Sequence, residues 1–251
     1  MLTRYFIYIS FKGTSYHGWQ LQPGAVTVQK VITEALSTIL EEKISVTGAG
    51  RTDSGVHAHA FCAHFDSVVP DLDTKKNIIF RLNRYLPADI SVTGIRKVRS
   101  DANARFSALS RTYRYVILRE KDPFGTDTGW HVHGDLDMDV MNKASEMLIR
   151  HSDFTSFCRL HSDNKTNLCK VFSAGWKAEA NTLVFTIRAD RFLRNMVRAI
   201  VGTMIDAGRG KITAVDFEKI LLAGDRSSAG MSAPARGLSL TGIEYPDEIF
   251  E

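Results

Sequence analysis

The sequence lacks most of the features that mark a specialised class of protein. Its three cysteines, Cys62, Cys158 and Cys169, are widely spaced, odd in number and form no CxxC pair. This argues against a disulfide framework and a structural zinc site, and it fits a reducing cytoplasm. No apolar run approaches the roughly 18 residues of a membrane-spanning helix. We therefore expect a cytoplasmic protein that does not insert into membranes.

The sequence also shows no pattern typical of a leader segment or of an interdomain linker. Residues 1–10 alternate as a strand does, and no small-residue cleavage site follows them. Only 6 of the 251 residues are proline, and no Pro/Gly/Ser-rich linker interrupts the chain. The hydrophobic share of 44% and the charged share of 24% are ordinary for a globular protein with a sizeable core. We expect two closely packed halves, residues 1–105 and residues 106–251.

Positive charge is concentrated in one stretch of the chain. Residues 81–119 contain 9 lysines and arginines against 2 acidic residues, whereas the whole chain has a formal charge of +4. Such a stretch suits a phosphate backbone, because arginine makes bidentate contacts with phosphate. A solvated basic surface around folded strands explains the same charges equally well.

Hydrophobic periodicity predicts an α+β protein. In the first half we expect strands at 4–11, 44–46, 58–65 and 90–98, with helices at 28–40 (capped by Thr27) and 78–86. In the second half we expect strands at 112–118, 171–178, 183–189 and 238–243, with helices at 138–149, 192–207 and 217–222. Strand pairs mixed with single helices favour α+β over a strictly alternating α/β fold. The helix predicted at 192–207, with the residue before it, would place Arg191, Arg194 and Arg198 on one side.

The densest chemical feature is the segment G-A-G-R-T-D-S-G-V-H, residues 48–57. Its three glycines permit positive φ and close backbone approach, and the loop presents Arg51 and Asp53 between two predicted strands. It lacks the GK[ST] ending of a P-loop and the spacing of GxGxxG, which disfavours a phosphate-handling enzyme. Composition alone also allows a tight turn in which Asp53 bonds nearby backbone N–H groups and pairs with Arg51.

This segment strongly resembles the signature of the tRNA pseudouridine synthase A family, whose loop reads GRTD, a small residue and GVH. Further stretches resemble blocks of that family in the same order, so the likeness spans nearly the whole chain. They are Y-H-G-W-Q at 16–20, A-R-F-S-A at 104–108 leading into Y-R-Y at 113–115, D-F-T-S-F at 153–157, M-V-R at 196–198, and A-P-A-R-G-L at 233–238.

The resemblance implies an isomerase that detaches uracil from its ribose, rotates it and reattaches it through C5. It implies the pseudouridine synthase fold, with two related halves, each an antiparallel sheet with helices, and a basic active-site cleft between them. The substrate would be the anticodon arm of tRNA, at positions 38–40, bound by a homodimer. The reaction is redox-neutral, so no small-molecule cofactor and no metal is expected.

Four residues receive roles from the resemblance. Asp53 is the expected catalytic nucleophile, and Arg198 is the expected partner that keeps its carboxylate ionised and oriented. Tyr113 is expected to stack on the target base, and Arg51 to fill the space left by the extruded nucleotide. Ser54 stands where alanine is common, and Thr112 stands where a basic residue is frequent.

Other candidates remain weaker or open. The HxH pairs His57/His59 and His131/His133 have no third ligand nearby in sequence, which disfavours a metal site. Tyr16 and Trp19 fit either RNA stacking or closure of the core. The alternative to a synthase is a non-catalytic RNA-binding protein. Such a protein has no need for Asp53, Tyr113 and Arg198 together, so we favour the enzyme.

Overall fold

The computed structural model describes residues 2–159 and 165–251. The chain forms two compact units. Unit 1 contains Met1–Leu109 and Leu240–Glu251, and unit 2 contains Ser110–Ser239. The predicted division after residue 105 differs from this one in the boundary itself and in the last twelve residues, which belong with the N-terminal unit.

Unit 1 is built around one long buried strand. Its elements are β1 Thr3–Phe11, α1 Val28–Leu40, β2 Thr47–Gly48, β3 His57–Ser67, α2 Lys76–Tyr85 and β4 Ile90–Val98. Strand β1 pairs antiparallel with both β3 and β4. Its residues Phe6 and Ile7 point to opposite faces, and both are fully buried. Both faces of the sheet are therefore covered at this strand.

Helix α1 forms where the sequence predicts it. Its buried residues follow helical spacing at Val28, Ile32, Ala35, Leu36 and Leu40. The Thr27 side chain accepts a hydrogen bond from the Lys30 N–H, which confirms the predicted N-cap. Helix α1 packs against α2.

Unit 2 combines an antiparallel sheet with three helices in the described part of the chain. Its elements are β5 Ser110–Leu118, β6 Trp130–His131, α3 Met138–Arg150, β7 Val171–Glu179, β8 Thr182–Ala189, α4 Met196–Gly208 and α5 Ala214–Leu222. The antiparallel order is β5–β8–β7, and the short β6 pairs parallel with β5. Helix α4 is buried along almost its whole length, so it forms the core against which α3 and α5 pack.

The last strand, β9 Leu238–Glu244, returns the chain to unit 1, where its residues from Leu240 onward lie next to β3. The mixture of strands and helices confirms the predicted α+β class. None of the helices among the described residues is long and apolar enough to cross a membrane.

One predicted element is wrong, and another begins later than predicted. Residues 44–46 are not a strand, and β2 comes directly after them. The side chains of Ile44 and Val46 are buried, but side chains bond their backbone: Ser37 Oγ accepts from the Ile44 N–H, and Gln29 Nε2 donates to the Val46 carbonyl. The apolar pattern correctly predicted that the side chains of Ile44 and Val46 are buried. It did not reveal that side chains, and not a neighbouring strand, bond their backbone.

The helix predicted at 192–207 begins only at Met196. Asn195 has a φ of 66°, in the left-handed region, so a right-handed helix cannot continue backwards through it. Arg191 and Arg194 therefore precede the helix, and the predicted helical face shared by Arg191, Arg194 and Arg198 does not exist.

Candidate active site

The predicted catalytic loop connects β2 to β3 in unit 1. Asp53 lies in the middle of it and is half-buried, whereas Arg51 is exposed. Gly55 has a φ of 79°, a conformation that favours glycine, and the chain there turns back toward β3. The Val56 N–H closes this turn by donating to the Asp53 carbonyl at 3.2 Å. The loop thus presents Asp53 from a fixed turn.

Residues 13–19 form hydrogen bonds to the loop that contains Asp53. The Gly13 N–H donates to Nδ1 of His57 at 2.9 Å, so Nδ1 carries no proton. The Gly55 N–H donates to the Tyr16 carbonyl at 3.3 Å, and the Ser54 hydroxyl donates to the same carbonyl at 3.1 Å. On the N-terminal side of Asp53, the Trp19 N–H donates to the Thr52 carbonyl at 3.4 Å, so the loop is bonded on both sides of Asp53.

Two glycines allow the two segments to approach closely. A Cβ on Gly13 would lie 2.0 Å from the Val56 carbonyl oxygen, and one on Gly18 would lie 2.2 Å from that of Thr52. Gly18 also has a φ of 83°. Neither position can carry a side chain without moving the backbone of the loop that contains Asp53.

Tyr16 and Trp19 close the core of unit 1. Trp19 is 2% exposed and stacks on Phe61 with ring centroids 4.1 Å apart. Tyr16 is 5% exposed and donates its hydroxyl proton to Asp89 at 2.6 Å. Burial raises the pKa of Tyr16, and the hydrogen bond to the Asp89 carboxylate adds to the shift. Of the two roles open from sequence, the structure places these rings in the core.

In unit 2, strand β5 carries both tyrosines of the Y-R-Y block. The half-buried Tyr113 ring packs edge-on against Phe192, with centroids 5.0 Å apart. Tyr115 is fully buried and donates its hydroxyl proton to the Pro234 carbonyl at 2.8 Å. Burial raises the pKa of Tyr115, against the opposing charges of Arg198 and Arg236. The Tyr115 hydroxyl is therefore part of the internal framework.

Arg198 lies in the first turn of α4 and bonds to the same segment as Tyr115. Its Nε donates to the Ala233 carbonyl at 2.7 Å, and the Ala233 N–H donates to the Arg198 carbonyl at 2.9 Å. The next carbonyl along the chain, that of Pro234, accepts from Tyr115. Residues 233–234 thus connect α4 to β5 within unit 2.

A family model described as tRNA pseudouridine synthase matches residues 144–246. Proteins named tRNA pseudouridine synthase A match nearly end to end. That of Bacteroides fragilis is 51% identical over 99% of this chain and 98% of its own length. That of Porphyromonas gingivalis is 47% identical, covering 99% and 100%, and that of Bacillus licheniformis is 41% identical, covering 94% and 97%.

The chain belongs to the tRNA pseudouridine synthase A family. The resemblance inferred from five sequence blocks is thereby confirmed. The family model covers Arg198 and residues 233–238 but not the loop with Asp53, whereas the full-length relatives span both.

The structure of this synthase separates the predicted site residues into two sets. Arg51 and Asp53 share one loop in unit 1, and Tyr113 and Arg198 lie in unit 2. No group of three or more His, Cys, Asp or Glu side chains suited to a metal occurs in the part of the chain that the structure describes. The His131 and His133 rings lie 4.2 Å apart as a pair.

Sequence reasoning gave no role to the residues that fix Arg198. The segment that contains Ser232 and Ala233 is bonded by the side chains of Asn195, Thr203 and Arg226. The block at 233–238 was recognised only as part of the family pattern. The glycines and the proline between residues 230 and 237 were the available signal, because they indicate a backbone passing close to other groups.

Proposed function

We propose that this synthase acts on uridines of the tRNA anticodon stem-loop, at positions 38–40, with Asp53 as its nucleophile. As a member of its family the protein is an isomerase that converts uridine to pseudouridine in tRNA. One observation supports the assignment of Asp53. Its half-buried carboxylate lies at the centre of a loop that is hydrogen-bonded on both sides of it. Such a group is presented in one orientation.

The reaction exchanges one bond for another. The N1–C1′ bond of uridine breaks, the uracil rotates, and a C5–C1′ bond forms while C5 loses a proton and N1 gains one. Asp53 would form a transient covalent bond with the ribose or the uracil and then leave as a carboxylate. Electrons balance without an oxidant or reductant, so this chemistry requires no cofactor.

Arg198 is proposed as the cation that pairs with the Asp53 carboxylate. Its Nε is bonded to the Ala233 carbonyl, which fixes the plane of the guanidinium group. An arginine held in one plane can orient a carboxylate through charge-assisted hydrogen bonds and keep it ionised. The buried helix α4 supplies a rigid base for this side chain.

Tyr113 and Arg51 are proposed as substrate-binding residues. The edge-on contact with Phe192 steadies the Tyr113 ring, and a steady ring suits stacking on an extruded uracil. Arg51 is exposed two residues before Asp53, a position from which it can occupy the space of the extruded nucleotide.

We further propose that the two units are related halves bordering a basic cleft, and that a cytoplasmic homodimer binds the tRNA. Each unit has an antiparallel sheet with helices, which supports a relationship between them. The excess of arginine and lysine at residues 81–119 suits a polyanionic substrate. The homodimer follows from the family resemblance, and the compartment from the three widely spaced cysteines, which fit a reducing cytoplasm.

The decisive test is release of tritium from tRNA labelled at uridine C5, comparing the wild type with Asp53→Asn. We expect release by the wild type without added metal or nucleotide, and a rate at least about 10³-fold lower for the variant. Transcripts with cytidine at position 38, 39 or 40 locate the target. If the wild type binds tRNA but releases no label, the protein is an RNA-binding protein without this activity. Equal release by both proteins removes Asp53 from the nucleophile's role.

A further inference from the structure

Residues 229–237 form a segment, here called the strap, that crosses the N-terminal half of α4 and ends in a 3-10 turn at Ala235–Gly237. It follows a 3-10 turn at Arg226–Ser228. Gly202 of α4 marks the crossing, because a Cβ there would lie 1.7 Å from the Met231 carbonyl oxygen. The strap therefore touches the helix backbone one turn beyond Arg198.

Apolar burial contributes little to fixing the first part of the strap. Met231 is 88% exposed, and only Ala233 is buried among residues 229–233, with one methyl group to contribute. Hydrogen bonds must therefore determine where this part of the strap lies.

Arg226 supplies three of these bonds from a single guanidinium group. Its Nη1 donates to the carbonyls of Ala229 and Gly230 at 3.2 and 3.1 Å, and its Nη2 donates to Ser232 Oγ at 3.0 Å. One planar fork thus spans the first four residues of the strap. A lysine ammonium, as a single point of donation, cannot reach this set of acceptors in the same way.

The remaining bonds attach this clamped part to α4. Thr203 Oγ1 accepts from the Gly230 N–H at 2.9 Å, and Asn195 Nδ2 donates to Ser232 Oγ at 2.6 Å. Ser232 Oγ is therefore bonded both by Arg226 and by the residue that caps α4. The next residue is Ala233, which exchanges two hydrogen bonds with Arg198.

We propose that Arg226 is a positioning residue that acts on the reaction through Arg198. It fixes the strap, the strap fixes the Ala233 carbonyl, and that carbonyl fixes Nε of Arg198. The inference rests on the proposed function, because it requires Arg198 to orient the catalytic carboxylate. A displacement of the guanidinium by about 1 Å is enough to lower the rate of a chemical step by up to about 10²-fold.

The test measures kcat and KM for tritium release with Arg226→Ala, Arg226→Lys and Ser232→Ala. Arg150→Ala serves as the matched control, because Arg150 is an exposed arginine of unit 2 that forms an ion pair within α3. We expect kcat to fall about tenfold or more in Arg226→Ala, less in Arg226→Lys and about threefold in Ser232→Ala. KM should stay within about twofold in all three, and the control should match the wild type.

A double-mutant cycle separates positioning from general destabilisation. In an Arg198→Lys background, Arg226→Ala should change kcat less than about twofold, because the residue on which it acts is already altered. Additive losses, a raised KM with unchanged kcat, or unchanged kinetics in Arg226→Ala would each overturn the inference. Thermal unfolding of each variant shows which of them are folded, and Ser232→Ala keeps the test usable if Arg226→Ala is not. An inactive wild type would instead refute the proposed function and the inference with it.

Discussion

The two segments proposed to supply the catalytic charges are held by different means. In unit 1, the Asp53 loop lies against residues 13–19 through backbone groups that meet where glycines have no side chain. In unit 2, the strap that holds Arg198 is fixed by polar side chains, with Arg226 at its centre. The first arrangement depends chiefly on the missing side chains of glycines. The second adds a set of polar side chains to one such close approach, that of Gly202 to Met231.

This difference predicts different responses to mutation. A contact between two backbones cannot adjust to an added Cβ except by moving the chain, so substitutions in unit 1 should act on stability. A partly exposed strap can shift while the fold persists, so substitutions in unit 2 should act more on catalysis. The following variants test that contrast, beginning with the largest expected effect.

Gly18→Ala should destabilise the protein by about 4 kcal/mol, because it combines a φ of 83° with a Cβ only 2.2 Å from the Thr52 carbonyl oxygen. Gly24→Ala is the matched control: its φ is 72°, and no atom lies within 4 Å of the new Cβ. It should cost about 1 kcal/mol, the conformational penalty alone. Urea unfolding measures both. Equal costs would show that the close approach to the Asp53 loop contributes nothing.

Gly202→Ala should reduce activity more than stability. The new Cβ would displace the Met231 carbonyl and with it the strap, but alanine favours the helix by about 1 kcal/mol. We expect a net loss of about 1–2 kcal/mol in the free energy of unfolding and at least about a tenfold loss of kcat. Urea unfolding and single-turnover kinetics at saturating tRNA measure the two quantities. A stability loss as large as that of Gly18→Ala, with normal kcat, would reverse the contrast.

Two buried threonines should respond with opposite signs to replacement by valine. Thr52 Oγ1 has no hydrogen-bond partner among the described residues, so Thr52→Val should raise the free energy of unfolding by about 1 kcal/mol. Thr203 Oγ1 donates to the Ala199 carbonyl and accepts from the Gly230 N–H, so Thr203→Val should lower it by about 1–2 kcal/mol. Thermal unfolding of both variants decides, and a loss in each would contradict the prediction for Thr52.

Acid should weaken a contact of unit 1 and leave the strap unaffected. Burial lowers the pKa of His64, and the charge of Arg4 lowers it further, against the effect of Asp66. Its Nδ1 accepts from the Ala104 N–H at 3.1 Å. Because the unfolded chain binds the proton more readily, stability should fall as pH drops below about 6.5 toward the lowered pKa. The side chains that bond the strap belong to arginine, asparagine and threonine, and none of the named bonds involves a histidine or a carboxylate.

The measurement is the unfolding temperature between pH 7 and pH 5. His64→Gln should flatten its decline, because glutamine can accept the same bond and carries no proton to gain. His59→Gln, at an exposed position on the same strand, is the control and should follow the wild type. If His64→Gln and the wild type decline together, His64 does not contribute to the acid sensitivity.

Much of the fold could be predicted because the relevant signals are local. The spacing of apolar residues in α1 and the alternation in β1 identified both elements, and Thr27 marked a helix start. Both errors arise because apolar periodicity does not record backbone conformation. At Ile44 and Val46 the conformation depends on hydrogen bonds from side chains, and at Asn195 it depends on a positive φ.

The candidate site was predicted less completely than the fold. Motif order indicated Asp53, Arg51, Tyr113 and Arg198, since each lies inside a recognisable block. It did not indicate Thr203, because its partner Gly230 is distant in sequence from α4. It did not indicate Arg226, because the strap that Arg226 bonds is important only through its own contact with Arg198.

The sequence by itself determined the α+β class, most helices and strands, and membership of the tRNA pseudouridine synthase A family, because periodicity and motifs are read along the chain. The tertiary structure alone decided that β9 returns to unit 1, that Gly18 lies against Thr52, and that the strap crosses α4 at Gly202. The physical reason is that these contacts join backbone groups of segments far apart in sequence. Their hydrogen bonds and close approaches exist only once the chain has folded.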